Sequence, residues 1–571
     1  MSSSNHECNV KLNAEVLKEI GTGDLVGSID QGTSSTRFMI FSKSGDVVAS
    51  AQVEHTEYFP SGEDKVGWHE HDPIEIWKNT KKCIIAACTS LSEQTISPVN
   101  LEKTPLKAIG ITNQRETTIA WNAKTGVPYH KAIVWDDLRT TKIAHRLSEG
   151  GGALPAHPGG ELAEGECKSG VDRLRARTGL PLVSYFAGTK VRWLIDNVPQ
   201  LRRDLEVGSG ERENVRFGTI DTWLVYQLTG ESSGHEGNVG GMFLTDVTNA
   251  SRWLFMNINN CEWDEEAIGI MCGEDVQMPL SALPEIRASS EVYGACSEGC
   301  GVEAVVGVPV AAILGDQQAA LFGQSAFTPG EAKCTYGTGI FLLMNTGTLV
   351  PSTHGLLTTI AYKIGSTITY ALEGSVSHSG STIQWLRDHL QIINSAPESE
   401  TLASTTTSND GLYFVPAFSG LFAPYWRSDA RGCIVGMTAS HGKGHICRAA
   451  LEASAYQTRE LFEAIDIDSG VNLEKLKVDG GATANKLLMQ FQSDMIGVEV
   501  IRPKCMETTA MGAAFAAGLA VGVWDSLEEI RSLWAVDKTW KPTMSAANRD
   551  KNWNGWKKAV TKSFDWVEDD K

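Results

Sequence analysis

The chain has 571 residues, with 69 acidic and 50 basic side chains and a formal charge of −19, a field that excludes a general binder of nucleic acid or other polyanions. Hydrophobic residues at 42% supply real cores, and 21% charged residues with 56 glycines exclude a disordered or collagen-like chain. No stretch reaches about 18 uninterrupted apolar residues; the longest candidate carries Glu303 and ends at Asp316, so no stable membrane insertion is expected.

The N-terminal MSSSNHECNVKLNAEV lacks a basic leader and an apolar h-region, and the C-terminal VEDDK matches no retrieval or peroxisomal address, so the expected location is cytoplasmic. The 12 cysteines, closest at Cys83/Cys88 and Cys296/Cys300, form neither a dense disulfide framework nor a CxxC spacing. They read as reduced, mostly buried thiols.

Residues 1–22 read as a peripheral extension with one short helical pattern, LNAEVLKEI. Regular structure starts at the apolar strand LVGSID, which delivers Asp30 to a Gly-Thr-Ser-Ser turn, and continues through RFMIF and DVVASAQVEH as successive strands. Asp72, Pro73 and Glu75 then supply an N-cap, a proline at the first helical position and a capping-box glutamate ahead of IEIWKNTKKCIIAACTSL. LKAIGIT and TTIAWN read as strands flanking Asn113-Gln114-Arg115-Glu116, and KVRWLIDN and TIDTWLVYQLTG as helices. Gly-rich stretches near 148–170 and 231–241 read as mobile surface insertions.

A second run echoes the first: VVGVPVAAILGD, KCTYGTGIFLLMN, the helix ICRAALEASAYQTRELFEAI, the strand LKVDGG and the helix NKLLMQFQSDMIG. Gly32-Thr33-Ser34 and Gly337-Thr338-Gly339 each interrupt an apolar hairpin, which suggests a duplication with two lobes. The Trp-rich tail, with Trp540, Trp553, Trp556 and Trp566, reads as a terminal helix packing its aromatic face on the body, with a membrane-interface helix as the alternative.

Several of these turns could carry chemistry. The hydroxyls and amides of IDQGTSST could wrap a polyphosphate with Asp30 facing Mg²⁺; a plain hairpin turn is the bland alternative. LKVDGGATANKLLMQ could lay a nucleotide against Gly481 and Asn485, or be only a tight strand-to-helix turn. In GDQQAALFG, Asp316 emerges at a strand's C-terminal end, where a carboxylate could take a proton from a substrate alcohol or merely cap a helix. Arg115 and Glu116 could grip neighbouring hydroxyls or form a surface ion pair. Neither GxGxxG nor the Walker loop occurs in strand-to-helix context.

The ordered set IDQGTSSTR, GWHEHDPIEIW, GITNQRETTIAWN, GTIDTWLVYQLTG, GDQQAALFGQ, TYGTGIFLLMNTG, ALEGSVSHSG, VPAFSGL and VDGGATANKLLMQFQSD resembles the FGGY carbohydrate kinase family, and within it the glycerol-phosphorylating branch. The resemblance runs from about residue 25 to WNGWKKAV. Its signatures include YFAGTKVRWLIDN at 185–197 and the segment from Gly432 to Glu452.

The resemblance implies an α/β chain of two ribonuclease H-like, actin-like ATPase lobes with ATP in the cleft, spanning 23–325 and 326–571. It implies transfer of the γ-phosphoryl group of MgATP to glycerol, with Asp316 as general base and Asp30 organising Mg²⁺. Arg115, Glu116, Tyr185, Asp316 and Gln317 match the contacts to glycerol hydroxyls, and Trp135 and Phe341 the aromatic walls. Thr33, Ser34, Ser35 and Arg37 match the phosphate hairpin and Thr338 its partner in the other lobe; Gly380, Gln384, Gly481 and Asn485 match the rest of the nucleotide site. A homodimer is the assembly carried with this reading. Members acting on xylulose, ribulose, gluconate or erythritol share the ATP parts, and the fold also serves ATPases without kinase activity. Arg115 and Glu116 with Tyr185 and Trp135 are what favour glycerol.

Overall fold

The computed structural model describes residues 8–13, 24–93, 106–162, 170–273, 275–427 and 429–567. The chain divides into two compact units. The first comprises 1–325 with 359–369 and 507–533, and the second 326–358, 370–506 and 534–571. The main segment of the first unit ends at residue 325, and two later segments also belong to that unit, so the units are interleaved along the chain.

In the first unit the strand order is Asn9–Leu12, Val47–Glu54, Ser35–Ser42, Leu25–Gln31, Leu106–Asn113, Pro309–Gly315 and Ser290–Ala295. Leu25–Gln31, Leu106–Asn113 and Pro309–Gly315 run parallel, and the strands before them in that order are antiparallel. In the second unit the order is Thr367–Val376, Ile340–Gly347, Ala332–Tyr336, Lys475–Asp479, Glu499–Pro503 and Val536–Trp540. Here too a hairpin with a third antiparallel strand leads into parallel strands. Each unit thus has the order third strand, hairpin, first parallel strand, second parallel strand, which is the duplication that the two Gly-Thr turns suggest.

Burial explains why these segments are strands. Every residue of Leu25–Gln31 is buried, as expected where parallel strands are covered on both faces. Helix Pro73–Glu93 packs Trp77, Cys83, Ile84 and Ala87 into the same core. Asp72 caps it, with Oδ1 accepting from Ile74 N at 2.9 Å. Glu75 does not close the predicted capping box; its Oε1 accepts instead from Thr56 N at 2.9 Å and Thr56 Oγ1 at 3.0 Å, so the tertiary partner wins over the local one.

Helix Thr508–Ala520 lies against this sheet and against helix Asp316–Gly323 at glycine contacts. A Cβ on Gly110 would fall 2.2 Å from Ala513 O, one on Gly512 1.9 Å from Ala319 O, and one on Gly323 2.0 Å from Thr508 O. No side chain fits such spacings, so these glycines set how closely the helix carrying Asp316 is held.

Three expectations need correction or restriction. The 231–241 stretch is pinned rather than mobile: Asn238 is buried, its Nδ2 donates to Gln227 O at 2.7 Å and to Gly299 O at 3.0 Å, and a short ladder joins Glu231–Ser232 to Asn238–Val239. In the 148–170 stretch Leu154 is buried and Pro155 O accepts from Arg177 Nε at 2.7 Å; residues 163–169 lie outside the described residues. Residues 9–12 of the N-terminal extension form an edge strand on Val47–Glu54, while most of its predicted helix, 14–20, lies outside the described residues. Among the described residues the cysteines are free thiols.

The terminal helix Ala546–Val560 packs on the second unit. Trp553 and Trp556 are buried, and Trp556 stacks on Tyr456 with centroids 5.1 Å apart, whereas Trp566 stays exposed. Trp556 Nε1 and Tyr425 Oη both donate to Glu460 Oε1, at 2.8 and 2.7 Å. Burial raises the Glu460 carboxyl from 4.5 to about 8. Between those values the folded chain keeps a proton that the unfolded chain releases, so this group's effect is a loss of stability as pH rises through that window. Glu460→Gln keeps an oxygen for both donors and is expected to flatten part of the loss. Asp221 and Glu452, each raised by burial to about 7, contribute in the same direction. Urea unfolding of both proteins at pH 5 and pH 8.5 checks this; equal pH dependence would contradict it.

Candidate functional site

Strand register assembles the first unit's polar cluster. Asp30 lies opposite Thr112, Gln31 opposite Asn113, and Gly315 opposite Asn113. Three parallel strands therefore end together, and their C-terminal ends carry Asp30, the Gln114–Glu116 segment and Asp316, where open α/β sheets bind ligands.

Asp30 is nearly fully buried and forms an ion pair with Arg37, which also pairs with Glu507. These carboxylates, Asp30 foremost, hold the guanidinium firmly protonated. In the hairpin turn Gly32 N donates to Ser35 O at 2.9 Å, and Trp135 Nε1 donates to Thr33 Oγ1 at 2.9 Å. Ser34 is exposed and Ser35 half-buried, its Oγ accepting from Gln52 Nε2 at 3.3 Å.

Asp316 opens helix Asp316–Gly323, with its Oδ1 accepting from Gln317 N at 2.8 Å and lying 3.3 Å from Arg115 Nε. Gln317 Nε2 donates to Asp316 Oδ2 at 3.2 Å. The carboxylate thus sits at a helix N-terminus, where the backbone dipole favours negative charge. A Cβ at Gly315 would lie 2.7 Å from Arg115 Cδ, so that glycine makes room for the guanidinium stem.

Arg115 and Glu116 do not form the surface pair that was the bland alternative. Both are buried, and Glu116, at a φ of 61°, accepts from Arg252 Nε at 2.5 Å. Arg252 also lies 5.7 Å from the Tyr185 ring centroid, and Tyr185 meets Trp135 edge-on at 5.6 Å. Tyr185 is fixed from behind by Lys190, whose Nζ donates to Tyr185 O at 2.7 Å and Ser184 O at 3.0 Å; burial lowers its ammonium to about 8. One face therefore collects Arg115, Glu116, Trp135, Tyr185, Asp316 and Gln317. Arg252, Lys190, Glu507 and Gln318, whose Oε1 accepts from Arg115 Nη1 at 3.2 Å, are the supporting groups that motif reading missed. Arg252, Lys190 and Glu507 sit outside the glycine-marked turns.

In the second unit Thr338 is exposed at the hairpin tip, and its carbonyl accepts from Ser379 N at 2.9 Å and Ser381 N at 3.1 Å. Gly380 N donates to Gly337 O at 3.0 Å, and a Cβ on Gly380 would lie 2.5 Å from that oxygen. Gln384 is exposed on helix Gly380–Asp388 and Phe341 half-buried on strand Ile340–Gly347. Gly480, at a φ of 89°, abuts Tyr336, while a Cβ on Gly481 would meet nothing within 4 Å. Backbone is therefore open at Gly481 for a flat ligand. Asn485 caps helix Lys486–Ile496, its Oδ1 accepting from Leu488 N at 2.9 Å.

Comparison with known proteins follows the same division. Sequence profiles of the FGGY family of carbohydrate kinases match residues 25–156 and 161–323 with the N-terminal domain and 332–521 with the C-terminal domain. A glycerol kinase of Saccharopolyspora erythraea is 53% identical over 545 residues, 95% of this chain and 99% of that protein. One of Clavibacter michiganensis subsp. michiganensis is 50% identical over 95% of this chain and 98% of its own. Among solved structures, Plasmodium falciparum glycerol kinase with ADP aligns with a TM-score of 0.82 and 37% identity, covering 95% of this chain and 98% of that one. A xylulose kinase of Lactobacillus acidophilus, at 19% identity over 94% of this chain and 97% of its own, has a TM-score of 0.75, a likeness of fold.

Proposed function

The chain belongs to the FGGY family of carbohydrate kinases, and on that premise we propose that it transfers the γ-phosphoryl group of ATP to a terminal hydroxyl of glycerol, giving sn-glycerol 3-phosphate and ADP. The observation that carries the reading is the cluster of buried Arg115, Glu116 and Tyr185 with half-buried Trp135, beside Asp316. A small triol offers little apolar area, so its affinity and orientation come from directional hydrogen bonds against a narrow aromatic wall. In this reading Arg115 donates to glycerol oxygens, Glu116 and Asp316 accept from glycerol hydroxyls, and Gln317 does either. Trp135 is assigned to the carbon chain, as is Phe341 of the second unit.

Phosphoryl transfer needs in-line positioning and charge neutralisation more than covalent chemistry. Asp316, whose carboxylate stands at a strand end, takes the proton of the attacking hydroxyl as the new P–O bond forms and the bond to ADP breaks. Thr33, Ser34, Ser35 and Arg37 in one unit, and Thr338, Gly380, Gln384, Gly481 and Asn485 in the other, are assigned to the nucleotide. Asp30 suits Mg²⁺: its Oδ2 is paired with Arg37, and its Oδ1 makes no hydrogen bond among the described residues. One carboxylate oxygen and several waters are a common set for that ion. Mg²⁺, when bound, neutralises charge developing on the phosphate oxygens. A cytoplasmic location goes with this proposal; among the described residues no helix is long and apolar enough to cross a membrane.

The purified protein is expected to form ADP only when glycerol is present, with sn-glycerol 3-phosphate as the product. ADP formation at the same rate without glycerol would favour a bare ATPase. Asp30→Asn should shift the Mg²⁺ dependence of the rate to higher concentration while leaving the glycerol KM nearly unchanged. Rates measured against Mg²⁺ at fixed ATP check this; an unshifted curve would remove Asp30 from the metal role.

A further inference from the structure

Glu57, His69 and His71 take no part in the reading above, yet each brings one potential ligand atom within 4.8 Å of the other two. His69 Nε2 lies 3.6 Å from Glu57 Oε1. Both histidines are buried, and Nε2 of each lacks a hydrogen-bond partner among the described residues. Buried polar atoms are rarely left this way unless something binds them.

The protons are arranged for a ligand at His69. Its Nδ1 is 2.8 Å from Asp136 Oδ1. A carboxylate only accepts, so Nδ1 carries the proton and Nε2 presents its lone pair. At His71, Gln114 Nε2 lies 3.3 Å from Nδ1, but also 3.1 Å from Gln31 Oε1 and 3.2 Å from Gly32 O. The two protons of an amide cannot serve three acceptors, and the longest contact, to His71, is the one left over. Gln114 therefore does not lock the tautomer of His71, and its Nε2 is able to turn a lone pair toward the same point.

We propose that Glu57, His69 and His71 form a binding site for a divalent transition metal of the zinc type, with Asp136 orienting His69. Two imidazoles and one carboxylate suit zinc and disfavour Mg²⁺, which selects oxygen ligands. Ligands about 2.0–2.2 Å from a tetrahedral ion stand about 3.3–3.6 Å from one another, which includes the 3.6 Å between His69 and Glu57. Glu57 has a half-exposed side chain free to rotate into the remaining gap. His69 and Asp136 line an open hollow of about 420 Å³ with Phe59, Trp68 and Leu138, so the His69 end of the cluster is reached from solvent. A carboxylate on the distal nitrogen of a metal-bound histidine is the usual outer support. The strand Glu70–His71 pairs with Ala132–Ile133, just before Trp135 and Asp136, so a bound ion would clamp the segment that carries Trp135.

The full-length protein, treated with chelator and freed of Mg²⁺, is titrated with Co²⁺ and then Zn²⁺. One equivalent of Co²⁺ should produce the intense visible bands of a four-coordinate site, and one equivalent of Zn²⁺ should bleach them. His69→Ala and Glu57→Gln should each weaken binding at least 10-fold, and Asp136→Asn about 10–100-fold. Thermal melting confirms that these variants fold; His71, fully buried, is left intact for that reason. A histidine pair elsewhere in the chain, His441 and His445 with centroids 5.0 Å apart, is the control: His445→Ala should bind as the parent does. No band at one equivalent, undiminished binding in both His69→Ala and Glu57→Gln, or loss of binding in His445→Ala would overturn the assignment.

Discussion

Asp316→Asn is expected to lower turnover about 10²-fold or more at saturating glycerol and MgATP, with ATP affinity nearly unchanged. The substitution is conservative in shape. Asn Oδ1 still accepts from Gln317 N and Arg115, both now on Asp316 Oδ1, so the helix start and the guanidinium keep their partner. What is lost is the capacity to accept a proton, together with the oxygen that accepts from Gln317 Nε2. Single-turnover rates and nucleotide binding by calorimetry separate the two contributions. Near-normal turnover would return Asp316 to the helix-capping role that the sequence also allows.

The second large effect is expected at a residue that no motif marks. Arg252→Met should destabilise the protein by about 3–5 kcal/mol and raise the glycerol KM more than it lowers kcat. Arg252 is fully buried against Glu116, and removing the cation leaves the buried carboxylate without that partner. Glu116 already occupies a left-handed φ of 61°, a conformation costly to a residue with a Cβ and held by its surroundings. Urea unfolding with steady-state kinetics in glycerol tests both halves. A variant as stable as the parent, or one whose loss falls on kcat alone, would contradict the role given to Arg252.

How much was legible depended on where the information lay. Glycine-marked turns at strand ends made Asp30, Thr33, Thr338 and Gly481 readable, because a tight turn needs particular residue types at particular places. The strand at Leu25 and the helix at Pro73 followed from hydrophobic period and cap, and the repeated hairpin announced the duplicated order of strands. Glu75 shows where local chemistry failed, since Thr56, far along the chain, took the carboxylate from the cap. Asn238 shows the same for a Gly-rich stretch, which is pinned by Gln227 and Gly299 although its composition reads as mobile. Arg252 and Glu507 had no signal because their partners lie far along the chain, and Lys190 because its bonds go to backbone carbonyls, which any residue supplies. The assignment of individual side chains to glycerol and nucleotide came from resemblance, with geometry supplying which of them touch.

The central claim is that the polar cluster around Arg115, Glu116 and Asp316 is built for glycerol, and it is tested most directly by comparing substrates. Initial rates with glycerol, erythritol, D-xylulose and D-ribulose at saturating MgATP give kcat/KM for each. The account predicts the highest value for glycerol, with the pentuloses disfavoured by the close set of Trp135 and Tyr185 around Glu116; a higher kcat/KM for either pentulose would contradict it.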